Sequence, residues 1–174
     1  MDETKLKGQF GVMVVGMVFE GRCILLAWRV YRANCHADYP AEGQARMIIR
    51  LLKQVRAGLP QGTSVRVLAG SGYYTSLLLL RGISALGLTF LVRVTKQSKI
   101  RPRGWHGSHL LRAGAATSTR VLCQWTGIQE TGTHPGSCPA LWRQDAYERW
   151  ALVTNDPQLT VNTPACGLKK HFGI

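Results

Sequence analysis

Between Gly43 and Gln129 this chain carries no aspartate or glutamate. Basic residues recur through that stretch instead, among them Arg46, Arg56, Arg66, Arg81, Arg112 and Arg120. Over all 174 residues there are 22 basic and 9 acidic side chains, a formal charge of +13. A surplus of one sign gathered into an acid-free stretch favours contact with a polyanion, and nucleic acid is the expected partner. Cysteine is sparse and scattered, at positions 23, 35, 123, 138 and 166, with no CxxC pair. That spacing argues against a disulfide framework or a structural zinc site, and His106, His109, Cys123 and Cys138 together fit no recognised zinc pattern. Long apolar runs are missing too: the longest, Phe10 to Phe19, falls well short of the roughly 20 residues that a spanning helix needs. The opening Met-Asp-Glu-Thr has the wrong charge for a secretory signal. Reduced thiols, a cytoplasmic location and no membrane partner are the expectations. No internal repeat or low-complexity tract stands out.

What is present reads as an α/β protein. Hydrophobic residues make up 45% of the chain and charged residues 18%, enough for one domain with a core. Phe10 to Phe19 and Cys23 to Val30 are β-rich runs joined by Glu20-Gly21-Arg22, which predicts an antiparallel hairpin. Their near-continuous apolarity predicts that both faces are covered. Met47, Ile48, Leu51, Leu52, Val55 and Leu59 fall at helical spacing and stop at Gly58 and Pro60. A strand over Ser64 to Ala69, a helix capped by Thr75 or Ser76, and a strand over Leu88 to Val94 follow. This order predicts one mixed sheet in which the later strands run parallel. Residues 97–149, rich in Gly, Ser, Thr, Arg and Trp, read as an irregular β-rich insertion, and Trp150 to Thr154 as a further strand.

The stretch VRVLAGSGYY, residues 65–74, invites two chemical readings. A Gly-Ser-Gly turn ahead of a helix exposes backbone N–H groups that suit a phosphate. It lacks the lysine of a Walker loop and is not a complete GxGxxG. The end of a strand is also where a metal-binding carboxylate can stand, and here there is none.

Three stretches in order resemble the catalytic domain of DDE transposases of the insertion-sequence-four type. They are MDETKL with VVGMVFEGRCILLAWRV, then LPQGTSVRVLAGSGYYTSLLLLRGISALGLTFLVRVTK, then RWALVTNDP. The resemblance spans residues 1–157 and leaves 158–174 as a divergent tail. It implies a ribonuclease H-like mixed sheet flanked by helices, with the β-rich insertion following the fifth strand. It implies metal-dependent DNA cleavage and strand transfer with magnesium or manganese, and a homodimer as the family's assembly. It also implies that most of the first strand and the family's N-terminal DNA-binding region lie outside this chain.

Such chemistry needs two divalent ions roughly 4 Å apart, held by carboxylates, one activating the attacking hydroxyl and one stabilising the leaving oxygen. By the resemblance the first acid, a metal ligand, is Asp2, with Glu3 and Thr4 beside it. The second belongs directly after VRVLA, where Gly70 stands. The third belongs on a helix after the Leu-Val-Thr-Asn strand, where the chain offers Asp156 and then Pro164, a helix breaker. Loss of even an outer partner of a metal site costs about 10- to 100-fold, so a missing ligand predicts an inactive copy. The non-catalytic alternative is a DNA-binding remnant. In either case the cluster Arg93, Lys96, Lys99, Arg101 and Arg103, with Trp105 and His106, is the expected DNA contact.

Overall fold

The structure is a computed structural model that describes residues 1–20, 22–35, 37–73, 75–94, 99–102, 109–110, 120–126, 133–141 and 150–159. Strand β1 (Asp2–Leu6) turns through Lys7 and Gly8, both at left-handed φ of 50° and 67°, into β2 (Phe10–Phe19). Two consecutive left-handed residues match the twist of a tight hairpin. β2 then pairs antiparallel with β3 (Arg22–Arg32), with a bulge between Val15 and Gly16. The predicted hairpin is there, and β1 adds a third strand to it.

Helix α1 (Gly43–Ala57) buries Met47, Ile48, Leu51 and Leu52, the stripe that the sequence spacing predicts, and ends at Gly58. Strand β4 (Arg66–Ala69) leads to a 3-10 turn at Ser71–Tyr73 and then to α2 (Leu77–Ala85). Ser76 caps α2, its hydroxyl accepting from the Leu79 N–H at 3.2 Å. β5 (Thr89–Val94) runs parallel to β4, as a crossover through a helix requires. The stretch read as a β-rich insertion contributes β6 (Lys99–Pro102), β7 (His109–Leu110), β8 (Arg120–Thr126) and β9 (Thr133–Leu141). β10 (Trp150–Thr154) lies antiparallel between β5 and β9.

Two expectations need correction. The strands form two hydrogen-bonded sheets rather than one: β1-β2-β3, and a seven-stranded sheet ordered β4-β5-β10-β9-β8-β6-β7. The sheets meet where the Met1 amino group donates to the Leu68 carbonyl at 3.0 Å, so edge strand β1 abuts edge strand β4 through one bond rather than a ladder. The hairpin's two faces are also not both covered. Helices α1 and α2 pack against each other, Gly82 on Ile49, and share one core with Met13, Val15, Phe90 and Val92. Leu25 and Trp28 stay 56% and 60% exposed. On the other side of the larger sheet, Leu91, Leu152 and Leu159 form a small second cluster with Leu68.

Candidate functional site

β4 carries the VRVLA motif into the core, where Val67 and Ala69 are buried, and delivers Gly70 to the strand's C-terminal end. The chain then folds back on itself, Tyr73 N–H donating to the Gly70 carbonyl at 3.3 Å. Nothing local demands glycine at position 70. Its φ is not left-handed, and a Cβ built there meets no atom within 4 Å. The contrast is Gly11, where a Cβ would collide with the Tyr31 ring. Position 70 therefore has room for a side chain that this sequence does not supply.

Asp2 opens β1 opposite Val14, is exposed, and accepts from the Glu3 N–H at 2.9 Å through Oδ1. Glu3 points the other way, as strand alternation dictates. Its two carboxylate oxygens accept from the Tyr31 hydroxyl and the Gln44 amide, which ties β1 to β3 and α1. Tyr31 in turn meets Tyr39 edge to face at 5.3 Å. Tyr73, buried beside this network, reaches Met13 Sδ at 3.9 Å. Burial raises both the Tyr31 and Tyr73 phenols above their ordinary value; the Glu3 hydrogen bond adds to the first, and the Asp2 and Glu3 charges add to the second. The Met1 amine is held below its ordinary value by burial, which outweighs the opposing pull of Asp2.

The other sequence-derived candidates do not converge on this end. Asp156 pairs with Arg66 at 2.5 Å and accepts from the Gln158 N–H at 2.9 Å. Arg66 begins β4, four residues and about 13 Å of strand rise before Gly70, so its ion pair with Asp156 belongs to the other end of the strand. Its neighbour Asn155 is a staple: it accepts from the Phe90 N–H at 2.8 Å and donates to Ser84 Oγ at 2.9 Å and the Leu88 carbonyl at 3.2 Å. The Thr-Asn pair quoted for the resemblance thus has a structural duty, since Thr154 also donates to the Phe90 carbonyl at 2.5 Å. The helix expected to carry a third acid would lie beyond the described residues.

Among the proposed DNA contacts, Arg93 lies half-buried on β5, and Lys99 and Arg101 lie two apart on β6. Lys96 and Arg103 lie outside the described residues, as do Trp105 and His106. Among the described residues no three His, Cys, Asp or Glu side chains gather as a metal would need. Tyr31 and Gln44 were not singled out by the sequence, because their bonds cross from β3 and α1 to β1. No family model matches the chain, and no curated protein is significantly similar to it.

Proposed function

We propose that the chain is a transposase-type DNA-processing domain of ribonuclease H-like organisation that binds DNA without cutting it. Gly70 carries this reading: the end of the strand whose Leu68 carbonyl takes the Met1 amine, next in the chain to Asp2, has room for a side chain, no backbone need for glycine, and no carboxylate. The order β3-β2-β1, continued through the Met1–Leu68 contact to β4 and β5, supports the fold assignment. The net charge of +13 supports a DNA partner. A cytoplasmic location and a homodimer go with this reading; among the described residues no helix is long and apolar enough to cross a membrane.

Among the described residues, those present do not fit a magnesium or manganese pair. Asp2 is one carboxylate, both oxygens of Glu3 are engaged, Gly70 has no side-chain ligand atom, and Asp156 is paired with Arg66 at the opposite end of β4. Hard cations want several oxygen ligands, so no cleavage step follows from this arrangement. A phosphate cradle is less well supported, because the Tyr73 N–H is already committed to the Gly70 carbonyl.

Anisotropy of a labelled duplex across a salt series tests the binding half: affinity falls steeply with salt, whereas a flat response overturns DNA contact. Incubation of supercoiled DNA with magnesium or manganese tests the other half. No nicking is expected, and nicking that disappears in Asp2→Ala overturns the inactive assignment. In Gly70→Asp, a carboxylate restored at the end of β4 should strengthen manganese binding over the parent chain.

A further inference from the structure

Three arginines are committed to the fold. Arg66 pairs with Asp156, Arg32 with Asp38, and Arg56 donates to the Thr63 carbonyl at 3.1 Å. Helix α1 carries three further basic residues, Arg46, Arg50 and Lys53, that are all exposed. At 3.6 residues per turn they fall within about 60° of arc, on the side of the helix opposite the buried Met47, Ile48, Leu51 and Leu52. The outer face of α1 is therefore a ridge of one sign. Among the described residues its one ion pair joins Arg50 Nη2 to Glu42 Oε1 at 2.9 Å, and the Arg50 side chain stays 63% exposed.

Helix stability does not explain this ridge. Arg46 and Arg50 stand four apart and Arg50 and Lys53 three apart, so like charges neighbour each other along it. Arg46 also lies near the N-terminal end, where the helix dipole disfavours a cation, and the first turn holds no acid to offset it. A polyanion laid along the helix relieves both repulsions. From Arg46 to Lys53 the ridge rises about 10.5 Å at about 1.5 Å per residue. One DNA strand advances about 3.4 Å per phosphate, so that length faces about three phosphates.

We propose that this ridge is a DNA-backbone contact in which Arg46, Arg50 and Lys53 bind about three phosphates of one strand without reading bases. The exposed Arg50–Glu42 pair is weak enough to yield to phosphate. The contact rests on the DNA reading and locates it on the helix layer, apart from the Arg93 to Arg103 cluster. Gln44 of α1 bonds Glu3, so the helix covers the face of β1 to which Glu3 points, and Asp2 points to the other. A helix about 10 Å across, and then the sheet, stand between a duplex on the ridge and Asp2. DNA held there is out of that carboxylate's reach.

Two full-chain variants that remove equal charge make the test. Arg46→Gln/Lys53→Gln strips the ridge and leaves the Arg50–Glu42 pair. Lys7→Asn/Arg22→Gln takes two exposed cations from the three-stranded sheet and its turn. Anisotropy of a labelled duplex is measured for each variant and the parent across a salt series. Each lost phosphate contact flattens the log–log slope by about 0.9, so the ridge variant loses about 2 units of slope. Its fall in affinity between about 50 and 200 mM salt is then roughly tenfold smaller than the parent's. The other variant keeps the parent slope. The ridge variant's urea midpoint stays at or above the parent's, because like charges are removed. A lower midpoint overturns the proposal by giving the two side chains a structural role. Equal slopes for the two variants overturn the ridge and leave DNA binding standing, whereas a parent without salt-dependent binding overturns both.

Discussion

The two sheets are built from similar sequence and end in different surroundings. Phe90 of β5 is wholly buried, with α2 on one side and strands β4 and β10 on either edge, whereas Trp28 of β3 is 60% exposed in an equally apolar run. Helices α1 and α2 share one core, and that decides which apolar strand residues are shielded. Apolar composition makes a strand; coverage makes it a core strand.

The sharpest way to break that contrast is truncation on both sides of it. Phe90→Ala should cost about 3–5 kcal/mol in urea unfolding, while Trp28→Ala should cost under about 1 kcal/mol. Equal losses would mean that the hairpin's outer face is covered in solution. Next in size is the staple that closes the larger sheet against the α2–β5 connection. Asn155→Ala removes three hydrogen bonds, among them the one that the Phe90 N–H donates, for a loss of about 2–3 kcal/mol by the same measurement. A loss below about 0.5 kcal/mol would show that water replaces the amide.

Glycines sharpen the comparison further. Gly11→Ala forces a methyl into the Tyr31 ring, which the hydroxyl bond to Glu3 holds in place, and should destabilise by about 1–3 kcal/mol. Gly70→Ala has open space and an ordinary backbone, and should stay within about 0.5 kcal/mol of the parent. Stability is also expected to depend on pH. The Met1 amine titrates below 8.0 in the native state, so just below pH 8 the unfolded chain binds more protons and stability rises with pH. The Tyr31 and Tyr73 phenols titrate above 10.0 in the native state, so above pH 10 the unfolded chain loses its protons first and stability falls. Acetylation of the α-amino group should abolish the first limb and leave the second. Chemical denaturation across that range reads both.

Much of the element order was legible. The Met47, Ile48, Leu51, Leu52 stripe, the Gly58 stop, the Ser76 cap and the β-branched VRVLA run are local signals, and local chemistry produced them. β1 was harder to see, because DETKL has little strand character of its own and is held by pairing with β2. The site was half legible. The sequence marked Gly70 and Asp2, whereas the reason Glu3 is spent, its clasp by Tyr31 and Gln44, joins residues 28 and 41 positions away. Asp156 looked available in sequence, and the contact with Arg66, 90 positions back, commits it.

By itself, then, the sequence determined the periodicities, the caps, the basic surplus and the absence of an acid after VRVLA, since each depends on neighbours in the chain. Tertiary structure alone decided which acids remain open, which apolar face goes uncovered and where β1 meets β4. Those outcomes depend on hydrogen bonds and burial between residues far apart in the chain, which no local pattern encodes.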